Sequence, residues 1–320
     1  MGGHMIGEDE CRPQRRCGIG IALREQILWS IVFGLCLISS WHTALRAENA
    51  RDTTLSLMIG NQARTALLHL PAILDPGRKY PLVLGLHGGL GNAKGYVEHS
   101  QLFVKGERAG FIVVCPEGTP VLRIGDHRVW NSGPEYATAT RNADDLSFTK
   151  GLIGKIRAQY PIDPKRIYVT GFSNGAQMAY RLALELPDVA AIAPMSGARL
   201  AGDLRPSHPI PLLHIHGTAD GYYPIEGGRG PYSIGRTPHV PVASVIAEWS
   251  RFNAVTVPAR LVVQDGWEAE FHDGPAPVVL IRVLGMGHQI AGGRDDRLPH
   301  QTMRSEPDAV AMALSFFAEH

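Results

Sequence analysis

Ser173 lies between two glycines in Gly171-Phe172-Ser173-Asn174-Gly175, after the strand-like run "RIYVT" and before the helix-like run "NGAQMAYRLALELPD". A serine hydroxyl is a weak nucleophile until a base takes its proton and an acid orients that base. The pattern G-x-S-x-G at a strand-to-helix turn suits this task. The turn is strained, the hydroxyl projects above the sheet, and the glycines let neighbouring chain approach closely. The next amide, that of Asn174, points at the same spot, and the helix N-terminus favours a developing oxyanion. A plain polar turn is the competing reading; the flanking strand and helix favour the nucleophile.

In this kind of architecture the acid and then the histidine follow the serine, each at the C-terminal end of a strand. "LLHIHGTADGYYP" places Asp220 just after a strand, and "VLIRVLGMGHQI" places His288 after the last long one, with Gly285 and Gly287 allowing a tight turn. Position must discriminate, because the chain has 14 histidines. His214, inside a strand, reads as packed or hydrogen-bonded in the core. His216 at the strand end reads as shaping the loop, His272 as lying between two strands, and His300 as part of a polar tail. Asp220 also fits an Asx turn, since "TADG" is a turn signal. Asp265 and Asp273 are weaker rivals because they precede the final strand. The loop after "LVLGLHGG" is expected to supply a second oxyanion donor, the Gly89 amide first and Leu90 next. No H-E-x-x-H or paired-cysteine spacing appears, and "HGGLGNAKG" lacks the G-K-[ST] ending of a phosphate loop, so neither metal nor nucleotide cofactor is expected.

The elements that must hold these residues alternate. "TLSLMI" and "ARTALLHLP" around Gly60-Asn61 read as a hairpin. "YPLVLGLHGG", "FIVVCPEG", "RIYVT", "AAIAPMSG" and "IPLLHIHG" read as buried strands, with "ARLVVQD" and "PVVLIRVLG" as the last two. Helices are expected in "AKGYVEHSQLFVKGERAG", in "ADDLSFTKGLIGKIRAQYP" with Leu146, Ile153, Ile156 and Tyr160 on one face, after Ser173, and in "VASVIAEWSRFN". A last helix in "SEPDAVAMALSFFAEH" carries a Ser305/Asp308 capping box and a Val310, Leu314, Phe317 stripe. Middle strands that are apolar throughout belong in a parallel sheet covered on both faces. The expected fold is α/β: a mostly parallel central sheet with an N-terminal antiparallel hairpin and helices on both faces. Two long loops, Thr119 to Asn142 and Gly217 to Pro241, remain.

The first 47 residues read as a leader and residues 48–320 as one catalytic domain. Arg12, Arg15, Arg16 and Arg24 precede the apolar run Ile27 to Trp41, and Leu45-Arg46-Ala47 fits a cleavage site. That run is short for a membrane span. Export is therefore expected, with no stable membrane association after cleavage; the alternative is an uncleaved anchor. Of four cysteines only Cys115 falls outside the leader, so no internal disulfide is expected, and Cys115 reads as a buried strand residue. A net charge of +1 gives no reason to expect a nucleic-acid partner. Oligomeric state is not legible.

Taken in order, "LHGGLGNA", "GFIVVCPEGT", "WNSG", "ADDLSF", "YPIDPKRIYVTGFSNGAQMAYRLA", "PLLHIHGTAD" and "GMGH" resemble the secreted α/β-hydrolases grouped as polyhydroxybutyrate depolymerases and feruloyl or acetyl-xylan esterases (carbohydrate esterase family one). The resemblance spans roughly Leu82 to Gly293. It implies a serine ester hydrolase using Ser173, Asp220 and His288. It makes Asp144 and Asp145 helix anchors rather than catalytic groups. It also sets Trp130 and Asn131 on a loop near the cleft, where Trp130 either stacks on a sugar or aryl ring or packs. Trp130, Tyr222 and Tyr223 are the candidate substrate contacts, with Tyr232 adding aromatic surface. Many relatives carry Thr-Trp-Pro-Gly after the histidine, whereas here Gln289-Ile290-Ala291-Gly292 follows, so the ester itself (polyhydroxyalkanoate, feruloyl or acetyl-polysaccharide) is not transferred. The competing functions are a peptidase on the same scaffold and a non-catalytic carbohydrate-binding protein of this fold.

Overall fold

Alternating apolar segments around Gly60-Asn61 pair antiparallel as β1 (Asp52–Ile59) and β2 (Gln62–His69). This computed structural model describes residues 51–320 except 122–125, 134–138, 141, 200, 234–237 and 295–303. The leader, His300 and parts of both long loops lie outside the described residues. Next come β3 (Tyr80–Leu86), α1 (Ala93–Ser100), α2 (Leu102–Arg108) and β4 (Ile112–Pro116). The first long loop carries a short pair, β5 (Thr119–Pro120) and β6 (Arg128–Val129). After it run α3 (Asp145–Gln159), β7 (Ile162–Phe172), α4 (Asn174–Glu185), β8 (Val189–Met195) and β9 (Leu212–Gly217). The chain closes with α5 (Val242–Phe252), β10 (Arg260–Gln264), β11 (Trp267–His272), β12 (Val278–Val283) and α6 (Ala309–Glu319).

The large sheet runs β1-β2-β4-β3-β7-β8-β9-β12-β11-β10. It is parallel from β4 to β12 and antiparallel at both edges. Successive residues of a strand face opposite sides, so each apolar strand feeds two cores. Leu82, Leu84, Val169 and Leu212 pack with Phe148 of α3, Met178 of α4 and Trp249 of α5. On the other side, Val83, Val113, Tyr168 and Leu213 pack with Tyr96 of α1, Phe103 of α2 and Phe317 of α6. The doubly covered parallel block is the physical cause of its unbroken hydrophobicity.

Four expectations need correction. The helix read across 93–110 is two helices, because Gln101 adopts φ 56° between them. Ser100 holds the break, its hydroxyl donating to the Tyr96 carbonyl and accepting from the Leu102 amide. β11 lies where a connection was read, so His272 is in a strand; the Asp265-Gly266 pair, with Gly266 at φ 80°, is a hairpin turn signal. The last helix is capped by Asp308, which accepts from the Ala311 amide, and Ser305 takes no part in that cap. The inner face of α3 is Phe148, Leu152, Ile153 and Ile156, with Leu146 and Tyr160 only at its margin.

Candidate active site

At the end of β7 the chain turns so sharply that Ser173 sits at φ 58°, ψ −119°, a region an L-residue occupies at a cost of about 1–3 kcal/mol. Its amide is held by the Met195 carbonyl of β8 at 2.9 Å. The two flanking glycines answer to close backbone approach. A Cβ on Gly171 would lie 2.5 Å from the Gly175 carbonyl oxygen, and one on Gly175 would lie 2.4 Å from that of Leu86. Gly175→Ala is therefore expected to push α4 off the end of β3 and to destabilise the protein by more than about 2 kcal/mol, as overpacking does. Urea unfolding checks this, and an unchanged midpoint would contradict it.

The structure brings three distant residues together. Ser173 Oγ lies 2.9 Å from His288 Nε2, and His288 Nδ1 lies 2.8 Å from Asp220 Oδ2. A carboxylate only accepts, so Nδ1 carries the proton and Nε2 is left to accept from the serine. Asp220 also makes the Asx turn: its Oδ1 accepts the amides of Tyr222 at 2.9 Å and Tyr223 at 2.8 Å. The two readings of Asp220 thus coexist, one on each oxygen. Burial pushes this carboxyl up, but the neighbouring His288, through its field and its hydrogen bond, together with His216 and the Tyr223 amide, more than offsets it and holds the carboxyl below the usual value. The His288 ring is walled by Phe172 (centroids 4.7 Å apart), Tyr222 (5.0 Å) and Tyr223 (5.5 Å).

Two amides border the serine. Asn174 opens α4, where the first N–H groups have no intrahelical acceptor. Gly89 sits opposite: its Cα side faces Asn174, since a Cβ there would meet the Asn174 Cβ at 3.5 Å. The Leu90 amide is committed to the Arg128 carbonyl at 2.7 Å, which leaves Gly89 of the two candidates. The Gly88–Gly89 peptide is gripped from its carbonyl end by His87 Nδ1 at 2.8 Å and the Gly91 amide at 3.1 Å. Because the peptide is planar and trans, holding that oxygen fixes the opposite direction of the Gly89 N–H.

The neutral ring makes a second contact, its Nε2 accepting the Gly118 amide at 3.0 Å, and protonation would abolish that contact. Burial pushes the imidazole down from 6.5 to about 4. The unfolded chain then binds this proton in a range where the folded one does not. The stability is complete above pH 6.5 and is lost as the pH falls toward about 4, on the order of 3 kcal/mol. Urea unfolding across that range should show wild type losing this much more than His87→Gln; parallel losses would contradict it. Sequence reading did not assign His87, though its place before the glycine pair was the available signal.

Trp130 is a correction. It is fully buried, its indole N–H donating to the His87 carbonyl at 3.0 Å, so it packs beneath the site and offers no face for stacking. The Asn174 side chain clamps this loop, accepting from the Trp130 amide at 2.7 Å and donating to Ser132 Oγ at 2.9 Å. Tyr223 is buried too, its hydroxyl donating to Gln177 Oε1 at 3.1 Å. Tyr222 alone of the three candidate contacts is half-exposed, with the Tyr232 ring 5.6 Å away. Gln289, Ile290 and Ala291 are buried, so the stretch that departs from the family pattern packs inward. Asp144 caps α3 by accepting from the Ser147 amide, and Asp145 pairs with Arg64 at 2.6 Å. Cys115 is buried, and burial pushes its thiol well up, away from reactivity. Among the described residues no cluster of His, Cys, Asp or Glu is placed to hold a metal ion, and no helix is long and apolar enough to cross a membrane.

Comparison with known proteins points to esterases. Residues 66–207 match the family model described as Esterase PHB depolymerase. Over 208 residues the chain is 32% identical to NocK of Nocardia uniformis subsp. tsuyamanensis, an esterase by name, covering 61% of this chain and 58% of that protein. Over 241 residues it is 28% identical to feruloyl esterase B of Piromyces equi, covering 72% of this chain and 44% of that one. Over this stretch the chain is similar to the polyhydroxybutyrate depolymerase and feruloyl esterase group of α/β-hydrolases. The solved acetyl xylan esterase from Aspergillus awamori shares its fold, at TM-score 0.55 and 15% identity over 74% of this chain and 94% of that one. The chain spans about half the length of the two curated relatives. The family-model match takes in Gly89, Ser173 and Asn174 but stops short of Asp220 and His288, whose placement rests on the distances above.

Proposed function

We propose that this α/β-hydrolase is a serine carboxylic-ester hydrolase. The observation that carries the reading is the ordered contact Ser173–His288–Asp220, at 2.9 and 2.8 Å, on a strained turn at a helix N-terminus. Ser173 Oγ attacks the ester carbonyl carbon as His288 Nε2 takes its proton. The carbonyl electrons move onto oxygen, where the Asn174 and Gly89 amides stabilise the charge, each donor contributing roughly 3 kcal/mol of barrier. The C–O bond to the alcohol then breaks, His288 returns the proton to it, and water repeats the sequence to release the acid. Asp220 orients the imidazole and stabilises its positive charge throughout.

Tyr222 beside His288 and Tyr232 behind it offer aromatic surface to an aryl or sugar-linked ester. The feruloyl esterase among the relatives supports the same substrate class. Export through the basic-apolar leader, by cleavage after Ala47, belongs to this reading. A hydrolysis panel of p-nitrophenyl acetate, methyl ferulate, acetylated xylan and hydroxybutyrate oligomers tests it, together with the anilide analogue of each aryl ester. Ester hydrolysis without anilide hydrolysis is expected; anilide cleavage at comparable kcat/KM would instead favour the peptidase.

A further inference from the structure

His214 and His216 stand two residues apart on β9, on one face of the strand, and neither has a place in the reaction above. Both are buried. His216 Nε2 lies 2.8 Å from the Tyr223 carbonyl and 3.5 Å from Asp220 Oδ2. Both partners accept only, so Nε2 carries a proton and donates. In the neutral ring His216 Nδ1 must then accept, and its partner at 3.0 Å is His214 Nε2. That atom is therefore also protonated, which leaves His214 Nδ1 as acceptor for the Tyr180 hydroxyl at 2.8 Å. A single direction of donation satisfies every atom: Tyr180 to His214, His214 to His216, His216 to the Tyr223 carbonyl.

The two ends of this chain matter. Tyr180 lies two turns along α4, the helix that opens directly after Ser173. Tyr223 closes the turn whose amides hold Asp220 Oδ1. A second tie runs alongside, from the Tyr223 hydroxyl to Gln177 of the same helix. We infer that His214 and His216 are positioning residues, a directed brace that sets the Asp220 turn at a fixed place relative to the Ser173 helix and so aligns His288 between acid and nucleophile. The inference rests on the ester-hydrolase reading for its kinetic consequence and on the hydrogen-bond directions alone for the brace.

A proton added to His216 Nδ1 would set it against the His214 Nε2–H and break the chain, while one added to His214 Nδ1 would reverse the Tyr180 link, whose hydroxyl can also accept. Burial opposes this by pushing both imidazoles down; the Asp220 charge pulls His216 part of the way back and the His288 charge pushes it further. The titratable groups that face the pair are Tyr180 from α4, Asp220 and Tyr223 from the turn after β9, and His288 from the turn after β12. Arg282, paired with His216 in register on β12, is held by Glu270 of β11.

Nitrogen NMR of histidine-labelled wild-type protein near neutral pH should show both rings neutral, with the proton on Nε2. His216→Ala should speed hydrogen exchange at the Tyr222 and Tyr223 amides. It should also lower kcat/KM for p-nitrophenyl acetate roughly 10²-fold through kcat, the scale of a misplacement near 1 Å, with KM unchanged and the acidic limb of the pH profile displaced. His216→Gln keeps a donor for the Tyr223 carbonyl and should recover about tenfold of that loss. An Nδ1–H tautomer, wild-type kinetics in His216→Ala, or a loss that merely follows the folded fraction in both variants would overturn the brace. If the wild type hydrolysed no ester while the tautomers and the exchange behaved as stated, the ester-hydrolase reading would fall and the brace would stand.

Discussion

Ser173→Ala is expected to lower kcat/KM for p-nitrophenyl acetate by roughly 10⁴- to 10⁶-fold, the range seen when a nucleophile acting as one unit with its base is removed. The alanine leaves His288 and Asp220 in contact, because Oγ contributes only the outer link of that relay. KM should move little, since Tyr222, Gly89 and Asn174 are untouched. The fold should persist, because alanine meets the same backbone strain at φ 58°. Ser173→Gly should be equally inactive yet more stable by about 1 kcal/mol, as glycine occupies that region without penalty. Steady-state kinetics and urea unfolding on the pair separate these effects. Residual activity within tenfold of wild type would show that another group is the nucleophile.

The second large effect is on stability. Asp145 and Arg64 form an ion pair at 2.6 Å, with side-chain exposures of 0% and 5%. Arg64 also reaches the Glu117 carbonyl and lies over the Phe148 ring, while Asp145 Oδ2 holds the Asn131 amide beside Trp130. The pair therefore ties the edge hairpin, α3 and the loop beneath the site to one another. Asp145→Ala strands a guanidinium away from water and should cost about 3–5 kcal/mol. Arg64→Leu with Asp145→Asn removes both charges and keeps an acceptor for the Asn131 amide, so it should cost less than Arg64→Leu and Asp145→Asn measured singly and added, by about 2 kcal/mol. Urea unfolding of the four-member cycle reads this directly. Strict additivity would mean that the pair contributes nothing as a pair.

The candidate site was legible largely because its parts are local signals. The turn around Ser173 needs two glycines whatever the rest of the fold does, and Asp220 and His288 each follow an unmistakable apolar strand. The parallel block was legible for the same reason, since strands covered on both faces lose their polar alternation. Other features depend on partners far away in sequence. That Asp145 meets Arg64, 81 positions earlier, cannot be read from "ADDLSF". A tryptophan in a polar loop leaves stacking and packing equally open, and the choice falls to packing because the Asn174 side chain pins that loop down and the indole finds its acceptor on His87. Gln289 and Ile290 stood out as a departure from relatives, but their burial makes them packing residues. The break at Gln101 was hidden because helix-favouring residues flank it and only its backbone angle marks it. β11 is marked only by the Asp265-Gly266 turn, because its mixed polar sequence lacks the apolar run that announces the central strands.

The most direct test of the central claim is covalent. Wild-type protein treated with a fluorophosphonate should gain one adduct per chain, and peptide mass spectrometry should place it on Ser173. Labelling should slow sharply in His288→Ala and vanish in Ser173→Ala. An unlabelled wild type, or an adduct at any other serine, would contradict the account.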